Sequence, residues 1–264
     1  MSIAALVSLA SCSPASPGGA QPGTSTSTAD SSPATSETAA DDADAFTEAH
    51  PDPGPNPPFN CAMATGVVED AWLNIDGTEG DERGKLLDTK VVNGDVYIRG
   101  TDDTNLDFME CVEEITGSLY LYDNDALTDV SGLGDIVQIG GDVVIADNDA
   151  LLDFDSLNQL SQIGPISGGA RMVGPSLIVT NNDALASVTG LTSLSLVWGD
   201  IHVRDNPNLA SLDGLAGLLG VGGTMSIVHN VDLCISSVAA LVNGLSAPEI
   251  IPGDWSTLGN DVGC

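Results

Sequence analysis

Hydrophobic and polar residues alternate over short runs that recur along the C-terminal two-thirds of the chain. The clearest run is Gly141–Leu151. Similar runs begin at Gly94, Gly117, Pro175, Gly199 and Gly223. The six starts are 23, 24, 34, 24 and 24 residues apart, and the long interval contains an insertion at roughly 164–174. A fixed repeat of this size is typical of a solenoid, in which each repeat packs only on its neighbours.

Each run contains a pair of apolar residues separated by one outward position. Period-two alternation of this kind indicates a half-buried β-strand. We therefore predict that the following pairs point into the core: Val96/Ile98, Leu119/Leu121, Val143/Ile145, Leu177/Val179, Ile201/Val203 and Met225/Ile227.

An asparagine follows the strand at the same position of five runs, and a leucine comes three residues after it. The asparagines are Asn124, Asn148, Asn182, Asn206 and Asn230. Parallel stacking of the repeats, about 4.8 Å apart, gives every strand a neighbour and builds one continuous core. Buried turns leave backbone donors and acceptors unpaired, and a side-chain amide satisfies both kinds. We therefore expect this column to be structural.

These motifs resemble known repeat families. Leu-x-Leu-x-x-Asn at Leu119–Asn124 resembles leucine-rich repeats. The run Asn124–Leu133, with a Val/Ile-x-Gly pattern before each strand, is closer to the receptor L domain of insulin-receptor and EGF-receptor ectodomains and of related bacterial surface proteins. The similarity covers roughly 92–245. It implies a mainly β fold, a right-handed parallel β-solenoid of about six coils with short helical turns, and a role in binding or scaffolding.

The two ends of such a stack need caps, because they expose strand edges and core. We expect the folded domain to span 61–264, with an N-terminal cap over 61–91 and a C-terminal cap over 234–264. Within the latter, Ser236–Leu245 is predicted to be a short helix whose N-cap is Ser236 or Ser237.

Four of the five cysteines lie in this domain, and an even number in an exported chain suggests disulfides. Three pairings are possible. We favour Cys61–Cys111 and Cys234–Cys264, because each pair brackets one end of the repeats. Metal binding is the alternative, but no two cysteines have close ligand spacing.

The remaining cysteine, Cys12, follows a short apolar run that is typical of a signal peptide. Leu9–Cys12 resembles the lipobox of bacterial lipoproteins, which implies cleavage before Cys12 and its lipidation. No Lys or Arg precedes the run, which departs from the usual pattern, and a chance apolar N-terminus is the alternative. Residues 13–60 are rich in Ser, Thr, Pro and Asp and predict a disordered tether. We expect an exported, membrane-anchored lipoprotein of the bacterial envelope, in the outer membrane or at the cell surface.

The net negative charge of the chain limits the classes of partner that it can bind. The chain has 38 acidic and 6 basic residues. Such an excess opposes binding to nucleic acid, because no phosphate-neutralising patch is available. Acidic turns at Asp123–Asp125 and Asp147–Asp149 raise the possibility of calcium, but neither has the glycine and distal glutamate of a twelve-residue calcium loop. We expect neither a metal nor a cofactor.

Binding is the function that the outward strand positions favour. All three tyrosines fall there, and Tyr and Arg are enriched at contact surfaces. The candidate ligand-binding residues are Tyr97, Arg99, Tyr120, Tyr122, His202 and Arg204. The expected ligand is an extracellular protein, peptide or glycan; the alternatives are an ordinary solvent face and a structural envelope spacer without a ligand.

Enzyme motifs are absent from the sequence: there is no Gly-x-Ser-x-Gly, phosphate loop or His-Glu-x-x-His. The least favoured alternative is a polysaccharide-cleaving β-helix. Its acids would be Asp95, Asp142 and Asp200, which the repeat places on non-adjacent coils.

Overall fold

The computed structural model describes residues 61–69, 72–78, 81–165, 174–246 and 255–264. Within these ranges the protein is mainly β, with two parallel sheets, one α-helix and short 3₁₀-helices. The expected leader with Cys12 and the expected tether at 13–60 lie outside the described residues, as does most of the insertion at 164–174. No described helix has the length and apolar character needed to cross a bilayer.

Strands are numbered in chain order and alternate between the two sheets. The seven-stranded sheet contains β1 (Gly66–Val68), β3 (Thr89–Val92), β5 (Glu114–Ile115), β7 (Gln138–Ile139), β9 (Gln162–Ile163), β11 (Leu196–Val197) and β13 (Gly220–Val221). The eight-stranded sheet contains β2 (Trp72–Ile75), β4 (Asp95–Arg99), β6 (Leu119–Tyr122), β8 (Val143–Ala146), β10 (Leu177–Thr180), β12 (Ile201–Arg204), β14 (Met225–Val228) and β15 (Trp255–Ser256).

Both sheets grow in chain order, and every pair of neighbouring strands is parallel. The 3₁₀-helices span Cys61–Met63, Arg83–Lys85, Asp107–Met109, Ser131–Leu133, Asp155–Leu157, Thr189–Leu191 and Asp213–Leu215. The last five of these lie side by side. Each repeat therefore contributes one strand to each sheet and one helical turn, which is a parallel β-solenoid-like arrangement. The second sheet of short strands was not predicted as a sheet, because two-residue strands carry no periodicity of their own.

Burial follows the predicted alternation. All six inward pairs of β4 to β14 are at most 1% exposed. They form one core with the apolar residues of the helical turns, such as Phe154 and Leu157. Close packing of the helical turns also explains why a glycine occupies position 132. A Cβ atom at Gly132 would collide with the carbonyl oxygen of Leu106, one repeat earlier.

The asparagine column forms a continuous hydrogen-bonded ladder of fully buried side chains. The Nδ2 atom of Asn148 donates to the carbonyl oxygens of Leu121 (3.0 Å) and Ala146 (2.9 Å) and to Oδ1 of Asn182 (3.2 Å). Its Oδ1 accepts from the backbone N–H of Asn124 (3.3 Å) and from the Asn124 amide (3.0 Å). Each amide thus satisfies backbone groups of its own turn and of the preceding one, as expected.

The ladder extends one step beyond the predicted asparagines at each end. At the N-terminal end, Thr101 takes the place of an asparagine in the ladder. Its N–H and its hydroxyl both donate to Oδ1 of Asn124. At the C-terminal end, Asn260 is the next member of the ladder, and its Oδ1 accepts from the N–H of Asn230 at 3.0 Å. Asn260 lies outside the repeat register, so spacing alone did not reveal it.

The residue before each ladder position has a left-handed backbone. The φ angles are +60° at Asp123, +53° at Asp147, +54° at Asn181, +54° at Asp205 and +59° at His229. Gly77, Gly100 and Gly259 take the corresponding conformation at the ends. Only glycine adopts it freely, and Asn, Asp and His are the side chains that tolerate it best. The acidic turn residues are therefore selected first by backbone geometry.

Both ends of the stack are covered. At strand β2, Glu82 accepts from the N–H of Asn74 through its carboxylate (2.8 Å), and its own N–H donates to the Asn74 carbonyl (3.2 Å). At the other end, helix α1 (Ile235–Gly244) buries Val238 and Leu241 against the core, and β15 pairs with β14. The helix prediction is confirmed, but its N-cap is Cys234 rather than Ser236 or Ser237, because the helix begins earlier than the serine pattern suggested.

The favoured disulfide pairing is confirmed. Cys61 is bonded to Cys111 and Cys234 to Cys264. The first bond ties the N-terminal cap to the repeats, and the second joins the two ends of the C-terminal cap. Both restrict the unfolded chain at the ends of the stack.

We predict that Asn148→Ala lowers the free energy of unfolding by about 3 kcal/mol, because it leaves buried backbone and amide groups of three turns without partners. Denaturant unfolding followed by circular dichroism measures the loss. Asn158→Ala, at an exposed amide that makes one long bond to a carbonyl oxygen, is the matched control and should cost far less. Equal losses for the two variants would show that the ladder does not stabilise the stack.

Candidate functional site

The outward positions of the eight-stranded sheet form two rows across the strands. Strand register places Tyr97, Tyr120, Val144, Ile178 and His202 side by side in the first row. The second row contains Arg99, Tyr122, Ala146, Thr180 and Arg204. All six predicted ligand-binding residues therefore lie on one sheet face. They form two groups, on β4–β6 and on β12, with β8 and β10 between them.

The first group is built on an aromatic stack. Tyr97 lies between Trp72 and Tyr120, with ring centroids 4.9 and 4.4 Å away and interplanar angles of 26° and 7°. Trp72 is 63% exposed although it is the largest side-chain type in proteins. Partial burial, followed by the influence of Tyr120 and Asp95, raises the pKa of Tyr97. Its hydroxyl is therefore a hydrogen-bond donor at neutral pH.

Arg99 is held beside the stack by uncharged partners. Its Nε donates to Oδ1 of Asn74 and its Nη1 to the hydroxyl of Tyr122, both at 3.1 Å. The guanidinium is exposed, so these bonds orient a cation that remains open to solvent.

The second group is a charged cluster on β12. A nitrogen of the Arg204 guanidinium (Nη2) lies 2.8 Å from Nδ1 of His202, whose Nε2 lies 3.7 Å from the carboxylate of Asp200. Burial and the nearby Arg204 lower the pKa of His202, against the opposing effect of Asp200. The imidazole is therefore neutral near pH 7 and accepts from Arg204. The Nε atom of Arg204 is buried and has no hydrogen-bond partner among the described residues.

Trp72 and Asn74 complete the first group and were not predicted from the sequence. Both lie on β2, inside the segment expected to be only a cap. The alternation Trp72-Leu73-Asn74-Ile75, with Leu73 and Ile75 fully buried, was a usable strand signal. It was obscured because this strand lacks the asparagine turn of the later repeats.

The three aspartates considered for an enzyme have structural partners. Asp95 accepts from the N–H of Ser118, Asp142 from that of Ser176 and Asp200 from that of Thr224. On the repeats between these aspartates, the hydroxyl of Ser118 accepts from the N–H of Asp142, and the hydroxyl of Ser176 accepts from the N–H of Asp200. The aspartates and hydroxyls thus form a second ladder at the starts of the strands, and the expected separation of the acids on alternate coils is confirmed.

An open groove of about 660 Å³ follows the C-terminal ends of β6 to β14. Six aspartates line it: Asp123, Asp125, Asp147, Asp149, Asp183 and Asp205. Within the groove, Asp147 accepts from the Asn181 amide at 3.1 Å and Asp205 lies 3.2 Å from Nδ1 of His229. In the described part of the chain, no three His, Cys, Asp or Glu side chains converge in a way that could hold a metal ion.

We predict that His202 makes stability depend on pH. Because its pKa in the folded protein is lowered from the ordinary value of 6.5, the unfolded chain binds the proton first as pH falls. The contribution of the neutral imidazole to the free energy of unfolding is therefore complete above pH 6.5 and is lost as the pH falls below it. Unfolding titrations between pH 7 and pH 5 should therefore show a steeper loss for the wild type than for His202→Gln. Parallel slopes would mean that the imidazole has no lowered pKa.

Comparisons with known proteins find no match for this chain among family models, curated proteins or solved structures.

Proposed function

We propose that this protein is a non-catalytic lipoprotein of the cell envelope that binds a protein, peptide or glycan through the outward face of its eight-stranded sheet. The observation that carries this proposal is the Trp72–Tyr97–Tyr120 stack, in which Trp72 is exposed and both tyrosines are half-buried, with the exposed Arg99 beside it. Water-exposed aromatic area is costly to maintain without a function, and Trp, Tyr and Arg dominate the energetics of binding surfaces.

The proposed fold type is the receptor L domain, as a right-handed solenoid of about six coils. The repeat motifs from Val92 to Leu245 support it, together with the chain-order growth of both parallel sheets. The disulfide at each end of the stack is a further supporting feature.

Two features favour binding over catalysis. Asp95, Asp142 and Asp200 are each committed to a backbone N–H of the next repeat. His202 has the lone pair of its Nδ1 atom directed at Arg204, so that nitrogen is engaged and does not serve as a general base. The structural spacer remains the competing role, and a binding experiment separates the two.

The proposed location is the outside of the cytoplasmic membrane, with an acyl anchor at Cys12. Two disulfides favour an oxidising compartment. A single acyl chain holds a protein weakly, so stable attachment requires more than one chain on the cysteine.

We predict that Cys12→Ser abolishes incorporation of a clickable fatty acid and releases the protein from the membrane fraction, because no other residue would carry the anchor. Ser13→Ala is the matched control and should label normally. Equal labelling of both variants would contradict the anchor assignment.

We predict that replacing Tyr97, Tyr120 and Tyr122 together by Ser weakens capture of envelope extracts or whole cells by about thirtyfold, because binding energy concentrates in such residues. The full chain carrying Cys12→Ser serves as the parent. The control replaces Glu114, Gln138 and Gln162, half-buried residues of the seven-stranded sheet, by Ser. Unchanged capture by the tyrosine variant would contradict the sheet-face site, and no capture by the parent would favour the spacer role.

A further inference from the structure

We propose that the partner is a basic polypeptide segment, which lies across the strands with apolar side chains on the first outward row and Lys or Arg side chains in the aspartate groove. This inference rests on the proposed function and specifies its partner. It combines the sheet face with the charge of the groove beside it.

The centre of the stack suits a polypeptide better than a glycan. A sugar packs its C–H groups on an open aromatic face, and both faces of Tyr97 are covered, by Trp72 and by Tyr120. Tyr97 therefore offers the partner its ring edge and its hydroxyl, which suit apolar side chains and backbone carbonyl oxygens.

The two surfaces run in parallel, and both cross strands β6 to β12. The first row crosses five strands from Tyr97 to His202, and the groove spans the turns after five strands from Asp123 to His229. At about 4.8 Å per strand, each is about 19 Å long. An extended segment of about six residues covers that length, and its alternate side chains point to opposite sides. One side can meet the row while the other reaches the groove.

The negative charge of the groove favours cationic side chains on the side of the partner segment that faces it. Its lining contains six aspartates and no Lys or Arg. All six aspartates are exposed, so a partner can reach them without desolvation of a buried charge; Asp147 and Asp205 also contact Asn181 and His229 inside the groove. Val144 and Ile178, in the middle of the first row, supply the apolar contact. Arg99 and Arg204, in the second row, would donate to carbonyl oxygens of the segment.

The test uses the full chain with Cys12→Ser and a fluorescent peptide of alternating Lys and Tyr, with Glu–Tyr and Lys–Ser peptides as controls. Anisotropy titrations at low and high salt give the affinities. The groove variant replaces Asp125, Asp149 and Asp183 by Asn; these three avoid the left-handed positions, so the turns keep their geometry. The matched control replaces three exposed aspartates away from the groove, Asp88, Asp107 and Asp213, by Asn.

We expect the Lys–Tyr peptide to bind most tightly, with an affinity that falls as salt rises. The groove variant should weaken it about tenfold, and the matched control should not. Tyr97→Ser with Tyr120→Ser should weaken it as well. Equal effects of the groove variant and the matched control, or equal binding of the Glu–Tyr peptide, would overturn the inference.

The remaining outcomes separate this inference from the proposed function. If capture of envelope components depends on the tyrosines but not on the groove, the sheet face binds a partner that is not basic, and only the inference fails. Tyrosine-dependent capture of a neutral polysaccharide has the same meaning. If the peptide depends on the groove but not on the tyrosines, the sheet face is not the binding site, and both fail.

Discussion

The fold depends on the pairing of backbone groups in turns that are buried between repeats. A strand that turns toward the core would leave its N–H and C=O groups without water, and each unpaired group is costly. The asparagine ladder removes that cost by giving every turn an amide that both donates and accepts. Because each amide contacts the preceding and the following turn, the ladder also aligns the repeats.

The same turn determines where the charge of the protein lies. The residue before each ladder position has a left-handed backbone, for which Asp, Asn and His are the best-tolerated side chains. Repetition of the turn therefore produces a row of aspartates at the C-terminal ends of the strands, and the next position adds Asp125, Asp149 and Asp183. A requirement of the fold thus yields an acidic groove that a basic partner can use.

The other polar side chains are of two kinds: those that bond the backbone of a neighbouring repeat, and those that remain accessible to a partner. The aspartates and hydroxyls at the strand starts are engaged with backbone N–H groups, from Asp95 to Thr224. The edge of β2 is covered by Glu82, which blocks the addition of another strand there. Trp72 and Arg99 are exposed, with the half-buried Tyr97 and Tyr120 beside them, and for that reason the proposed function rests on this group.

Local pattern in the sequence by itself determined the repeat, the inward pairs and the asparagine column, because burial and turn chemistry repeat with the chain. For the cysteines it favoured one of three pairings, which the structure then showed. The outward face and its six candidate residues followed from the same alternation. Only the tertiary structure decided which of those residues are neighbours. The contact of Trp72 with Tyr97, the separation of the β12 cluster and the convergence of the aspartates into a groove depend on how successive turns align. That alignment is set by packing and by the ladder between repeats, whose interactions connect residues 23 to 37 positions apart.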